Sequence, residues 1–86
     1  MSYQVIVPKP VQKQLDDLPD NIYQRVLRRT VALKDNPRPR DCVKLQNHDH
    51  EYRIRIGDYR VRYEVDDAAS TVLLLHYKHR RDAYRE

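Results

Sequence analysis

The sequence predicts an α+β domain: an N-terminal strand, a helical hairpin, then a three- to four-stranded antiparallel sheet packed against the helices. Three observations predict it. Apolar residues recur at helical spacing between residues 11 and 33. Three later stretches, Tyr52–Ile56, Tyr59–Val65 and Thr71 to about Lys78, are rich in β-branched and aromatic residues. Helical and extended segments are also segregated along the chain rather than alternating, which favours an antiparallel sheet backed by helices over a parallel one.

Each element follows from local chemistry. Tyr3–Val7 is a β-branched run closed by Pro8, read as a strand. In "KPVQKQLDDL", Val11, Leu15 and Leu18 form a helical stripe, and Pro10 suits a first helical turn, where its missing N–H is not needed. "LPDNIYQRVLRRTVALKDNP" restarts the pattern after a break at Leu18-Pro19. Asp20 is placed as the N-cap, with Ile22, Val26, Leu27 and Leu33 on the inner face. Asn36-Pro37 stops the helix, because a residue before proline avoids the α region. "PRPRDCVKLQNHDH" is a polar connection with at most a short strand around Val43–Leu45. Gly57, the only glycine, makes with Asp58 a two-residue hairpin loop that needs positive φ, and "DDAAS" makes the next turn. For the last strand, the phase with Leu73, Leu75 and Tyr77 inward is preferred. The opposite phase sends Val72, Leu74, His76 and Lys78 inward and buries a lysine. The run is nearly continuous, as a strand covered on both faces would be.

Length and composition bound the rest. With 86 residues the chain is expected to be one domain, 1–86, with a thin core that a partner could help to cover. A hydrophobic fraction of 40% against 35% charged suits a folded domain rather than a disordered one. There is no Trp or Phe, so seven Tyr supply the aromatic bulk, and each buried one needs a partner for its hydroxyl. The formal charge of +4 is compatible with a polyanionic partner. One cysteine, Cys42, cannot form an internal disulfide, which fits a reducing cytoplasm. No apolar run approaches the ~18 residues that would cross a bilayer, and the N-terminus lacks a signal-peptide pattern.

The functional signal is "EYRIRIGDYRVRY". If Gly57-Asp58 is the whole loop, Arg55 lies opposite Arg60 and Arg53 opposite Arg62. One face then carries Tyr52, Ile54, Ile56, Tyr59, Val61, Tyr63 and Val65, and the other the four arginines with Glu64. Like charges directly opposite destabilise a strand pair. A solvated charged face is the plain reading. An anion that relieves the repulsion is the sharper one, and phosphate suits the guanidinium fork. In the preferred phase His76 and Lys78 join this face, and His79, Arg80, Arg81 and Tyr84 follow within reach. A histidine among arginines has its charged form disfavoured, so it could serve as a neutral base. His79 could equally be an ordinary surface residue, and Tyr84 an edge-packing aromatic rather than one that stacks on a base or moves a proton. His48, Asp49, His50 and Glu51 are dense in potential ligands but match no metal spacing, and no metal or cofactor is expected. With one glycine there is no Gly-rich phosphate loop, and Thr30, Ser70 and Thr71 sit in no triad-like context.

Strand, two helices, "YRIRIGDYRVRY" and the closing "HRRDAY" together resemble the RelE family of toxins from toxin–antitoxin pairs, over nearly the whole chain. The resemblance implies a small α+β fold and a cytoplasmic, ribosome-dependent endoribonuclease that cuts mRNA in the A site by metal-independent attack of the 2′-hydroxyl. It also implies a RelB-like antitoxin bound in a hetero-oligomer. By position it assigns Arg60, Lys78, Arg80 and Tyr84 to catalysis, with His79 a candidate base. Arg53, Arg55, Arg62 and Arg81 are expected to bind RNA. Arg53 and Arg55 stand where some relatives carry lysines. An arginine does not readily give up its proton, so the base must be another group: Tyr84, His79 or His76, with Lys78 behind them. Two rivals remain: a ParE-like inhibitor of DNA gyrase, which shares the fold and does no chemistry, and a basic nucleic-acid-binding module, whose binding would weaken with salt.

Overall fold

The computed structural model describes residues 2–83. The chain runs β1 (Gln4–Ile6), α1 (Lys9–Asp16), α2 (Asp20–Ala32), β2 (Val43–Lys44), β3 (Glu51–Ile56), β4 (Tyr59–Asp66), β5 (Thr71–His79) and a short α3 (Arg80–Ala83). The strands form one sheet in the order β1-β5-β4-β3-β2. All neighbours are antiparallel except β1, which lies parallel to the first part of β5, Gln4 opposite Thr71. A parallel neighbour requires a crossover, and the helical hairpin supplies it. The predicted α+β architecture therefore holds, with a fifth strand making the sheet mixed.

One face of the sheet packs on the helices. Tyr52, Ile54 and Ile56 of β3, Val61, Tyr63 and Val65 of β4, and Val72, Leu74 and Tyr77 of β5 are buried against Val11, Leu15, Val26 and Leu33. Leu18, Ile22 and Leu27 lie half-buried at the margin of this core. Tyr59, expected on the inner face, is only half-buried at the hairpin end.

The tyrosine hydroxyls find partners, as a core built on tyrosine demands. Tyr63 donates to the Pro37 carbonyl at 2.8 Å. The Tyr77 hydroxyl and Thr30 Oγ1 are 3.0 Å apart, and Thr30 also bonds the Val26 carbonyl one turn back. Tyr52 accepts from Arg38 Nε at 2.9 Å, and Tyr3 donates to Asp67, which Arg38 also clasps. Burial pushes the Tyr63 and Tyr77 phenols up, so both stay neutral. Past the end of β1, the Tyr77 N–H has no strand neighbour on that side. Gln14 of α1 accepts it at 2.8 Å, so the backbone donor stays satisfied.

Two expectations are corrected. Asp20 is the first helical residue rather than the N-cap. Pro19 takes the cap position with no side-chain bond, and Asp20 acts through its charge at the positive end of the helix dipole. The predicted phase of β5 is also wrong in its first half, where Val72 and Leu74, not Leu73 and Leu75, are fully buried. A bulge explains it. Arg62 pairs with His76 but Tyr63 pairs with Leu74, so β5 carries one extra residue there. The alternation resets. Leu74 and Tyr77 both face the core, while His76 and Lys78 both face away from it, and no lysine is buried.

Candidate active site

The hairpin turn sets the site. Ile56 pairs with Tyr59, so Gly57-Asp58 is the whole loop, and Gly57 has φ 59 as the turn requires. Arg55 is then opposite Arg60 and Arg53 opposite Arg62. On the far side of β4, Arg60 pairs with Lys78 and Arg62 with His76. The bulge beside Arg62 brings His76 onto this face; without it the imidazole would share a face with Leu74. The helices cover the other side of the sheet, so this face stays open to a ligand.

A pocket of about 270 Å³ opens here, lined by Arg53, Arg60, Arg62 and His76 of the sheet and by Leu45, Gln46 and His48 of the β2–β3 connection. Its charge is not uniformly positive. β3 begins at Glu51, one residue earlier than predicted, which sets Glu51 on the arginine face opposite Glu64. The Glu51 carboxylate accepts from Arg62 and lies 3.3 Å from His48 Nδ1. It thus ties β4 to the loop that bears His48. Period-2 alternation already implied Glu51, but starting the strand at Tyr52 hid it. His48 had no such signal, because loop geometry carries it into the pocket.

His76 is the electrostatic centre of the pocket. Desolvation, then the charges of Lys78 and Arg62, bring its pKa down to about 4, with Glu51 opposing them in part. The imidazole is therefore neutral at neutral pH, surrounded by cations that cannot accept a proton. A depressed folded-state pKa means that the unfolded chain binds the proton first. Stability is complete above about 6.5 and is lost as pH falls toward about 4. Between pH 7 and 5 the free protein is expected to lose about 1–2 kcal/mol through this residue. Urea unfolding of wild type and His76→Gln at both pH values checks it. The variant should lose distinctly less; equal losses would contradict the assignment.

The other predicted residues are distributed as follows. Lys78 sits beside Arg60 on the same face. Arg55, at the hairpin end, lines a separate hollow with Arg25, Arg28 and Arg29 of α2. His79, Arg80 and Arg81 line a third hollow with Asp58, where the Arg80 N–H bonds the Asp58 carbonyl at 2.6 Å. His79 meets Tyr59 edge-on at 5.2 Å, and its Nδ1 accepts the Arg81 N–H. It is thus held at the strand end, apart from the pocket. Tyr84 lies outside the described residues. The dense "NHDHE" segment is divided: His48 turns to Glu51, whereas His50 lies near Asp67, whose carboxyl is held down chiefly by its hydrogen bonds from Arg38 and Tyr3. Among the described residues no group of three or more His, Cys, Asp or Glu gathers as metal ligands would.

Known proteins carry the same frame. The family model described as ParE toxin of type II toxin–antitoxin system, parDE, matches residues 5–84. A Methanocaldococcus jannaschii protein named as a toxin, RelE1, is 33% identical over 88 residues, spanning 99% of this chain and 98% of that one. A chain of the archaeal RelE–RelB complex of Pyrococcus horikoshii is 38% identical, with a TM-score of 0.82 over 93% of this chain and 97% of that one. A chain of the toxin–antitoxin complex RelBE2 of Mycobacterium tuberculosis is 27% identical, with a TM-score of 0.79 over 92% and 99%. The likeness extends over nearly the whole chain, and on that extent the chain belongs to the RelE/ParE superfamily of toxins from type II toxin–antitoxin systems.

Proposed function

We propose that this chain is a ribosome-dependent endoribonuclease that cuts mRNA in the A site, held silent by a RelB-like antitoxin. The observation that carries the reading is the pocket itself: Arg53, Arg60 and Arg62 around a space open to a phosphodiester. Cleavage by the 2′-hydroxyl needs cations on the developing phosphorane charge and a base on the nucleophile. Arg53, Arg60 and Arg62 suit the first role, and Tyr84, His79 and His76 are the candidates for the second. Lys78 and Arg80 add charge along the path of the message, Arg81 and Arg55 its flanks. Tyr84 is assigned to stacking on the substrate base, which would hold nucleophile and leaving group in line.

The antitoxin assignment is supported by the RelE–RelB complex of P. horikoshii. It is also supported by an apolar cleft between β1 and the helices, lined by Tyr3, Val5, Val7, Leu15, Leu27 and the exposed Val31. Uncovered apolar surface of this kind fits a bound partner.

One observation favours a second reading. The matching family model is described by the ParE toxin, which points to gyrase inhibition without cleavage. Inducible expression in a bacterium separates the two. New mRNA 5′ ends within translated frames, appearing within minutes and absent for Arg60→Ala, support the endoribonuclease. Growth arrest with DNA breaks and intact messages would replace it with the gyrase reading.

A further inference from the structure

α2 carries Arg25, Arg28 and Arg29 at spacings of three and four residues, which puts them on one helical face. Like charges so placed destabilise a helix. The fold then adds a fourth. β2 pairs only with Tyr52 and Arg53, so among the described residues β3 is an open edge beyond Arg53. There Arg55 joins the helix arginines around a hollow of about 180 Å³, completed by Ile56 and Gly57. Two of these side chains are held in place. Arg25 lies against the hairpin turn, where a Cβ on Gly57 would stand 3.6 Å from its Nη1. Arg29 is taken by Asp41, whose carboxylate oxygens are 2.7 and 2.8 Å from its Nη2. The other three remain available. Arg25, Arg28 and Arg55 are exposed, and among the described residues their guanidinium groups have no ion-pair partner.

We propose that this hollow is a second phosphate site, in which Arg25, Arg28 and Arg55 hold the message phosphate next to the one being cut. This rests on the endoribonuclease reading and extends it. The ligand class follows from the donors. Guanidinium groups with no anion of their own, gathered around one open hollow, suit the non-bridging oxygens of a phosphodiester. The choice of the message follows from position. Arg55 pairs with Arg60, and Arg53 stands two residues back on the same strand; both of those line the cleavage pocket. Two residues of strand span about 6.7 Å, a distance on the scale of one nucleotide step. A strand whose phosphate fills the pocket therefore meets the hollow with its neighbouring phosphate. Basic grooves track a single-stranded backbone in this way without reading its bases. Arg25 and Arg28 touch no reacting atom. They are positioning residues, so their loss should raise KM and leave kcat nearly unchanged.

A 2′-O-methyl single-stranded RNA, which has no nucleophile and stays intact, is titrated into the purified toxin across a salt series. Wild type is compared with the double variant Arg25→Gln/Arg28→Gln and with Arg40→Gln, which removes a charge outside the hollow; circular dichroism confirms each fold. The double variant should bind about tenfold more weakly, with a salt slope smaller by about 0.7, the value of one single-strand phosphate contact. Arg40→Gln should keep the wild-type slope. A double variant whose slope matches that of Arg40→Gln would overturn the site. The source of the phosphate is then read on ribosomes with a vacant A site. Each phosphate flanking the mapped cut is replaced in turn by a neutral methylphosphonate, with a 2′-O-methyl group on the ribose before it. The control message carries the same methyl group and an ordinary phosphate. At one flank the neutral linkage should raise the wild-type KM by about tenfold with kcat within about threefold, and the double variant should not respond to it. A wild type indifferent at both flanks would overturn the choice of the message. Weaker binding of the double variant to ribosomes without message would then assign the phosphate to ribosomal RNA. A wild type that cuts no message removes the endoribonuclease reading and the choice of the message with it, while the salt series still decides the site.

Discussion

Arg60→Ala is expected to lower ribosome-dependent cleavage by about 10²–10³-fold, the usual cost of removing one donor from a developing oxyanion. Arg60 is half-buried on β4, between Arg55 of β3 and Lys78 of β5, and lines the pocket with Arg53, Arg62 and His76. Its guanidinium can give two parallel N–H bonds to the non-bridging phosphate oxygens, and in a partly desolvated pocket each acts more strongly than in water. Arg60→Lys keeps the charge but loses the fork, so it should recover only part of the rate. The fold should be little affected, with an unfolding free energy within about 1 kcal/mol of wild type, because the residue lies on the open face. Cleavage rates on programmed ribosomes, measured beside urea unfolding, check both halves. A folded Arg60→Ala that cuts at the wild-type rate would remove Arg60 from the site. The matching prediction for Tyr84→Ala, loss of cleavage with the fold kept, rests on the sequence resemblance.

Tyr63→Ala should be the most destabilising single change in the core, by about 3–5 kcal/mol. Tyr63 is fully buried at 0% exposure and stacks on Tyr52 with ring centroids 6.0 Å apart. Its hydroxyl satisfies the Pro37 carbonyl, which anchors the long connection between α2 and β2. A domain of this size holds on the order of 5–10 kcal/mol in total, so the variant should be close to unfolded at room temperature. Tyr63→Phe separates packing from hydrogen bonding: it keeps the ring and leaves the carbonyl unpaired, for about 1–2 kcal/mol. Urea midpoints of the three proteins give the answer. A Tyr63→Ala cost below about 1 kcal/mol would mean that the core relaxes around the gap, contrary to the packing described.

Much of this architecture was legible in the residues because two periodicities were clean. Helical spacing placed Val11, Leu15, Val26 and Leu33, and alternation around Gly57-Asp58 fixed the register of β3 and β4 to the residue. What was hidden depended on tertiary structure. The bulge at Arg62 and Tyr63 breaks the alternation that sequence reading relies on. A strict period of 2 could keep Lys78 out of the core only by burying Leu73 and Leu75. The structure meets both demands by inserting one residue. His48 was invisible as a pocket residue because nothing local fixes where a polar loop folds back. Glu51 was missed by one residue of strand boundary, and with it the carboxylate that links Arg62 to His48. The resemblance drew attention to the tail, to His79, Arg80 and Tyr84, whereas the pocket gathers Arg53, Arg60, Arg62 and His76.

The central claim is that this arginine pocket cuts message only on the ribosome. The most direct measurement incubates the purified toxin with one message, free in solution and bound to ribosomes with a vacant A site, and then maps the cuts and their end groups. The account predicts cutting on the ribosome alone, within the A-site codon, leaving a 2′,3′-cyclic phosphate and a 5′-hydroxyl, and no cutting by Arg60→Ala. An intact ribosome-bound message with folded wild-type toxin, or ends bearing a 5′-phosphate, would contradict it.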